Sequence, residues 1–138
     1  MRPAALVLCG GRSRRMGRPK AWLPFGPELL LQRVVRLVSQ ACHPVVVVAA
    51  PDQTLPHLPD DVIVACDPVS FRGPLQGLAA GMAVLPEATE LVYATATDVP
   101  FLMPGWIGWL VDAIGTADLA IPEVEGFLQP LAALYRTA

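Results

Sequence analysis

At 138 residues, 54% of them hydrophobic, the chain is long enough to bury one substantial core and too short to divide comfortably into two. Its net charge of −2 at pH 7 argues against nucleic acid and against an anionic membrane surface as partners, since both select for a basic field. The distribution says more than the total: Arg12, Arg14, Arg15, Arg18 and Lys20 place half of the ten Lys and Arg side chains within nine positions, and that concentration requires a local reason.

In chain order, Met-Arg-Pro leads into a short apolar run broken by Gly10 and Gly11, too short to span a bilayer and without a small-residue cleavage site. A soluble, cytoplasmic chain is expected. Residues 4–9 form an uninterrupted apolar run, as do 45–50 and 91–96, which suits strands buried on both faces. Leu30, Leu31, Val34, Leu37, Val38 and Ala41 recur at helical spacing, with Gln32, Arg33, Arg36 and Gln40 as the wet face, predicting an amphipathic helix over 28–42. Pro51 to Pro59 reads as a proline-punctuated surface loop. A second helix is expected from Pro74 to about residue 85 with Leu75, Leu78, Met82 and Leu85 inward, since proline's fixed φ suits a first turn. A third opens at Pro104 and carries Ile107, Leu110, Val111 and Ile114. Shorter strands are expected at 62–66, 118–121 and 128–135.

This alternation predicts a three-layer α/β fold, a doubly wound and mostly parallel sheet with helices on both faces. Ligands of such sheets gather beyond the carboxyl ends of the strands. Three polar stretches leave strands at that edge: the glycine-arginine loop after 4–9, Asp67 after 62–66, and Asp98 after 91–97. Cys9, Cys42 and Cys66 lie far apart in apolar runs and read as buried free thiols of a reducing compartment, with no disulfide framework or zinc site. His43 and His57 read as surface residues.

Gly10 and Gly11 follow a buried strand, where the missing Cβ lets backbone N–H groups approach a ligand closely. The cations that follow would repel one another without a counter-charge, and a triphosphate supplies it. Two phosphate motifs are excluded. A P-loop needs lysine directly after its last glycine and then Ser or Thr, but Gly17 precedes Arg18 and Lys20 precedes Ala21; a dinucleotide fingerprint needs glycine where Arg12 stands. Lys20 is the only lysine, against nine arginines. That singles out a compact point charge, with a solvated surface residue as the alternative.

The string L-C-G-G-R-S-R-R-M-G-R-P-K, Leu8 to Lys20, resembles the nucleotide-binding signature of the molybdenum cofactor guanylyltransferases, which usually reads L-A-G-G, a variable stretch, R-M-G and a lysine. Later segments match in order: Asp67, then Gly73-Pro74-Leu75-Gln76-Gly77-Leu78, then Asp98-Val99-Pro100-Phe101-Leu102, then Gln129-Pro130-Leu131 and Leu134-Tyr135. The resemblance spans nearly the whole chain. It implies a Rossmann-like nucleotidyltransferase fold and transfer of GMP from GTP to the terminal phosphate of molybdopterin, or its molybdenum-bearing form, with release of pyrophosphate. By the resemblance Leu8, Cys9, Gly10 and Gly11 would lie along the nucleotide, with Asp67, Gly73 and Gly77 in the same site. Arg15 and Lys20 would contact its phosphates in catalytic roles, and Asp98 would hold Mg2+.

Such chemistry aligns a nucleophile with a leaving pyrophosphate and neutralises charge on the phosphate oxygens, for which one strand-end carboxylate on magnesium suffices. Molybdoenzymes or their chaperones are further expected partners, and a monomer or weak homo-oligomer the expected state. The guanylyltransferases can present Asn near the base where this chain has Val48, Ala49 and Ala50. They also continue into an Asn-x-Asn-Thr-Pro motif on the molybdopterin side, so residues 1–138 are expected to be one nucleotidyltransferase domain truncated at its C-terminal end.

Other readings of the same residues stay open. Gly73 and Gly77 equally suit a tight turn into a close-packed helix, Asp98 an N-terminal cap, and Asp67 before Pro68 a turn. Trp106 and Trp109 at helical spacing suit packing or a subunit contact. Two rival functions remain: a cytidylyltransferase or sugar-phosphate nucleotidyltransferase, and a non-catalytic paralogue that binds nucleotide or a partner.

Overall fold

Apolar strands without alternation can be covered only from both sides, and the fold is built around that requirement. The computed structural model describes residues 2–9, 14–15, 18–67 and 74–137, with Arg14, Arg15 and Arg18 described through their backbone alone. Among these residues, β1 (Ala4–Leu8), β2 (Val45–Ala49), β3 (Ile63–Cys66), β4 (Leu91–Ala96), β5 (Leu119–Ala120) and β6 (Ala133–Arg136) form a six-stranded sheet in the order β3-β2-β1-β4-β6-β5. The first four are parallel, and β6 runs antiparallel to both β4 and β5. The expected mostly parallel α/β sheet is therefore observed.

Side-chain parity divides the core in two. Ala5, Val7, Val45, Val47, Leu91 and Tyr93 face α1 (Leu30–Ser39) and α3 (Pro104–Ile114), meeting Leu31, Val34, Val35, Val38, Ile107, Leu110 and Ile114. Ala4, Leu6, Val46, Val48, Val92 and Ala94 face α2 (Pro74–Met82) and its Leu78. Each fully buried Val, Leu or Ile contributes about 1.5–3 kcal/mol of transfer free energy. No helix among the described residues is long and apolar enough to cross a membrane.

Four expectations need correction. The first helix starts at Leu30 rather than residue 28, because Glu28–Leu29 pairs with Pro24–Phe25 in a short ribbon; the Leu29 N–H donates to Gln32 Oε1 at 3.0 Å and marks the start. Leu75 is 79% exposed rather than inward. The buried stripe of α2 is Gly77, Leu78 and Gly81, and Leu75 lies roughly a third of a turn from its centre. Residues 128–135 are not one strand: Phe127–Leu128 pairs with Glu123–Val124, a 3-10 turn spans Pro130–Ala132, and only then does β6 begin. Pro130 has no N–H for a ladder. Cys66 is exposed, because the face of the edge strand β3 that carries Val64 and Cys66 extends beyond the cover of the helices. Cys9 and Cys42 are, as expected, half-buried and buried free thiols.

Candidate functional site at the carboxyl edge of the sheet

The register brings the strand ends level. Leu8 stands opposite both Val48 and Ala96, and Ala49 opposite Cys66, so the segments that follow β1, β2, β3 and β4 emerge along one edge. From β1 the chain moves outward through β2 to β3, then returns to β4 on the other side of β1. The carboxyl ends of β1 and β4 therefore flank the switch point at which open α/β sheets leave a crevice.

Each segment at this edge is tied down. Cys9 donates from its backbone N–H to the Val48 carbonyl at 3.0 Å and from its thiol to the same oxygen at 3.4 Å. Burial pushes that thiol up to about 12, so it remains protonated at neutral pH. The Cys9 carbonyl accepts from Gln53 Nε2 at 2.9 Å, while Gln53 Oε1 accepts from the Ala50 N–H at 2.9 Å. Gln53 thus bridges the segments leaving β1 and β2. Asp67, half-buried, donates its backbone N–H to the Ala49 carbonyl at 2.8 Å. Gly77 of α2 lies beneath Leu8, whose methyl carbons would stand 3.3 Å from an added Cβ.

The basic segment returns to the sheet through a 3-10 turn, Lys20–Trp22, whose Ala21 is buried against the α1 core. The Leu23 N–H closes the turn on the Lys20 carbonyl at 3.1 Å, the Leu30 N–H reaches back to Leu23 at 2.8 Å, and Trp22 Nε1 donates to the Thr54 carbonyl at 2.8 Å. From the other side, Thr97 Oγ1 donates to the Leu8 carbonyl at 3.2 Å, fixing the residue before Asp98 against β1. Leu102 N–H closes the following turn on Val99 at 3.1 Å.

These restraints bring Lys20 Nζ to 3.2 Å from Asp98 Oδ2, although 78 residues separate them in sequence. The side chains are 23% and 47% exposed, so the pair is reachable from solvent at this edge. Leu8, Cys9, Lys20, Asp67, Gly77 and Asp98 thus share one edge. Gly10, Gly11 and Gly73 lie outside the described residues, and the backbone of Arg15 belongs to a short ribbon, Arg14–Arg15 with Arg18–Pro19. Among the described residues no cluster of three or more His, Cys, Asp or Glu could enclose a metal by itself. A cation here would rest on one or two carboxylates with oxygens from a ligand and water, which is how Mg2+ is commonly held.

Two residues of this edge carry no recognisable sequence signal. Gln53 sits in a loop expected only to be surface, and Arg33, expected on the wet face of α1, is half-buried with its Nε donating to the Pro100 carbonyl at 2.6 Å. His43 and His57 are exposed, as expected. Trp106 and Trp109 stack on each other at 5.3 Å and 12°; Trp106 Nε1 donates to the Ala132 carbonyl at 3.3 Å and packs α3 against the segment before β6, while Trp109 is 61% exposed.

Residues 5–138 match the MobA-like NTP transferase domain family. The chain belongs to that family. It is 39% identical over 142 residues to a probable molybdenum cofactor guanylyltransferase of Mycobacterium avium, covering 99% of this chain and 71% of the relative. It is 42% identical over 139 residues to one of Mycobacterium tuberculosis, covering 97% and 68%. The molybdopterin-guanine dinucleotide biosynthesis protein A of Archaeoglobus fulgidus superposes with a TM-score of 0.71 over 96% of this chain and 67% of that one, at 21% identity, and shares its fold. Family membership makes the chain a nucleotidyltransferase by kind, and the β1–β4 switch point is where a ligand of such a sheet is expected.

Proposed function

We propose that the chain transfers GMP from GTP to the terminal phosphate of molybdopterin, or of its molybdenum-bearing form, in a cytoplasmic, Mg2+-dependent reaction. The observation that carries this reading is the Lys20–Asp98 pair, one partner from the segment after β1 and one from the end of β4, meeting across the switch point at 3.2 Å. The names of the guanylyltransferase relatives supply the nucleotide and the acceptor.

In this reading a terminal phosphate oxygen of molybdopterin attacks the α-phosphorus of GTP. The bond from that phosphorus to the oxygen bridging to the β-phosphate breaks, and pyrophosphate leaves with the electron pair. Backbone N–H groups after Cys9 and the charge of Lys20 hold the triphosphate, with Arg15 as the second cation. Asp98 offers an exposed carboxylate at the same point and would hold Mg2+, which when bound neutralises charge on the phosphate oxygens. With a triphosphate and metal bound, Lys20 would pair with phosphate and Asp98 with the cation instead of with each other. Asp67, Gly73 and Gly77 complete the nucleotide side, with Gln53 holding the Cys9 carbonyl.

The test is pyrophosphate release with molybdopterin and Mg2+ in the presence of GTP, CTP, ATP or UTP. Release with GTP alone, abolished by Asp98→Asn in a folded chain, supports the reading. A thermal-shift preference for CTP would redirect it to a cytidylyltransferase. A folded chain that binds GTP and releases nothing would be a non-catalytic paralogue.

A further inference from the structure

We propose that Arg33 is a positioning residue that sets the separation of Lys20 from Asp98. The proposal rests on the site described above and adds a residue outside it. Arg33 lies on α1 between Gln32 and Val34, and the neighbouring Val34 and Val35 are almost wholly buried, so the backbone beneath its side chain is fixed to the core. From there the guanidinium reaches both segments that build the crevice.

Toward the Asp98 segment, Nε donates to the Pro100 carbonyl at 2.6 Å, two residues beyond Asp98. A hydrogen bond from a charged donor to a part-buried carbonyl is stronger than a neutral one. Toward the Lys20 segment, the guanidinium carbon lies 4.7 Å from the ring centroid of Phe25, five residues beyond Lys20. Phe25 in turn meets Phe101 edge-on, with centroids 5.5 Å apart and planes at 76°. The two rings close the circuit, since Phe101 directly follows the carbonyl that Arg33 holds. Glu28 Oε1, 3.6 Å from Arg33 Nη1, steadies the guanidinium from the ribbon side.

Thr97 and the Lys20–Trp22 turn anchor each segment to the sheet or to α1, but Arg33 is the side chain on which both converge. Without it, the Asp98 turn and the ribbon after Lys20 would be joined only by the edge-on contact of Phe25 with Phe101 and by the Lys20–Asp98 pair itself. Misplacing catalytic groups by about 1 Å can cost on the order of a hundredfold in rate, so the clasp has a functional consequence beyond stability.

Because Lys20 is the only lysine, lysine labelled with 13C at the ε-carbon reports the pair through a single signal. Asp98→Asn defines the signal of a broken pair. Arg33→Met, which keeps the apolar stem and removes the donor and charge, is expected to move the signal toward that position and to lower kcat by roughly ten- to a hundredfold. Val34→Ala, a core truncation one residue away, is expected to lower Tm without moving the signal. Should Arg33→Met fail to fold, Arg33→Gln is read in the same way. An unmoved signal in the Arg33 variant, or a loss of turnover that only follows Tm as in Val34→Ala, would overturn the proposal. The lysine signal decides the clasp even if the wild-type chain releases no pyrophosphate, so failure of the proposed reaction and failure of this inference are separable.

Discussion

The two faces of the sheet are packed by opposite means. On the α1 and α3 side the space is filled by large side chains, with Leu31, Val34, Val38, Ile107 and Leu134 wholly buried. On the α2 side it is closed by bringing the helix nearer: a Cβ at Gly81 would stand 2.9 Å from both Leu6 Cδ2 and Val48 Cγ2. The first face fails by subtraction and the second by addition. They also divide the labour at the edge. Arg33 and the Lys20–Trp22 turn attach to the α1 side, whereas α2 lies under Leu8 and sets the floor from which the chain leaves β1.

The largest effect is expected on the filled face. Leu31→Ala removes a wholly buried side chain from a close-packed cluster and should cost about 2–5 kcal/mol, by transfer free energy and the cavity left behind. Urea unfolding reads it directly. A cost under about 1 kcal/mol would show that this face collapses around gaps and that the contrast is false.

The addition test is smaller. Gly81→Ala gains about 1 kcal/mol of helix propensity but forces Leu6 and Val48 apart, a strain of about 1–3 kcal/mol, so a net loss of roughly 1 kcal/mol is expected. Gly77→Ala meets only the flexible end of Leu8 at 3.3 Å and should be close to neutral. The two substitutions are chemically identical and one helical turn apart. Equal stabilities in thermal unfolding would mean that α2 is free to lift from the sheet.

The same contrast explains what could be read from the sequence. β1, β2, β4, α1 and α3 announce themselves because their burial is carried by Val, Leu and Ile at strand or helix periods. The stripe of α2 is carried by Gly77 and Gly81, which have no hydrophobic signature, so Leu75 takes their place in any reading by periodicity. The break at Pro130 is written in the sequence, yet the apolar residues on both sides of it mask the turn. At the edge, Lys20 and Asp98 are legible as residues but their contact is not, since it depends on strand order and register. Arg33 and Gln53 act by binding backbone carbonyls, and nothing in a residue's own neighbourhood marks a distant carbonyl as its partner.

Gly108 supplies the control. It lies on the exposed side of α3, and an added Cβ there meets nothing within 4 Å. Gly108→Ala should therefore stabilise the chain by about 0.5–1 kcal/mol, the propensity gain without the strain that Gly81 imposes. A loss of stability in differential scanning calorimetry would show that the helix face carrying Trp109 is covered in solution.

The smallest effect belongs to the polar rim of the filled face. Glu28 lies against α1, where Arg36 donates to its two oxygens at 2.8 and 3.0 Å, and that hydrogen bonding holds its carboxyl below the ordinary carboxylate value. A carboxylate favoured in the folded state contributes stability above its unfolded pKa, about 4.3, and loses it as pH falls through the lower folded value. Glu28→Gln should accordingly lower Tm slightly at pH 7, with the difference from wild type closing below about pH 4 and shrinking in high salt, as an exposed pair requires. A difference that persists in acid would assign the role of Glu28 to packing in the ribbon. The same residue steadies Arg33, so a pH-independent loss that also moved the Lys20 signal would locate its contribution in the clasp and not in the helix.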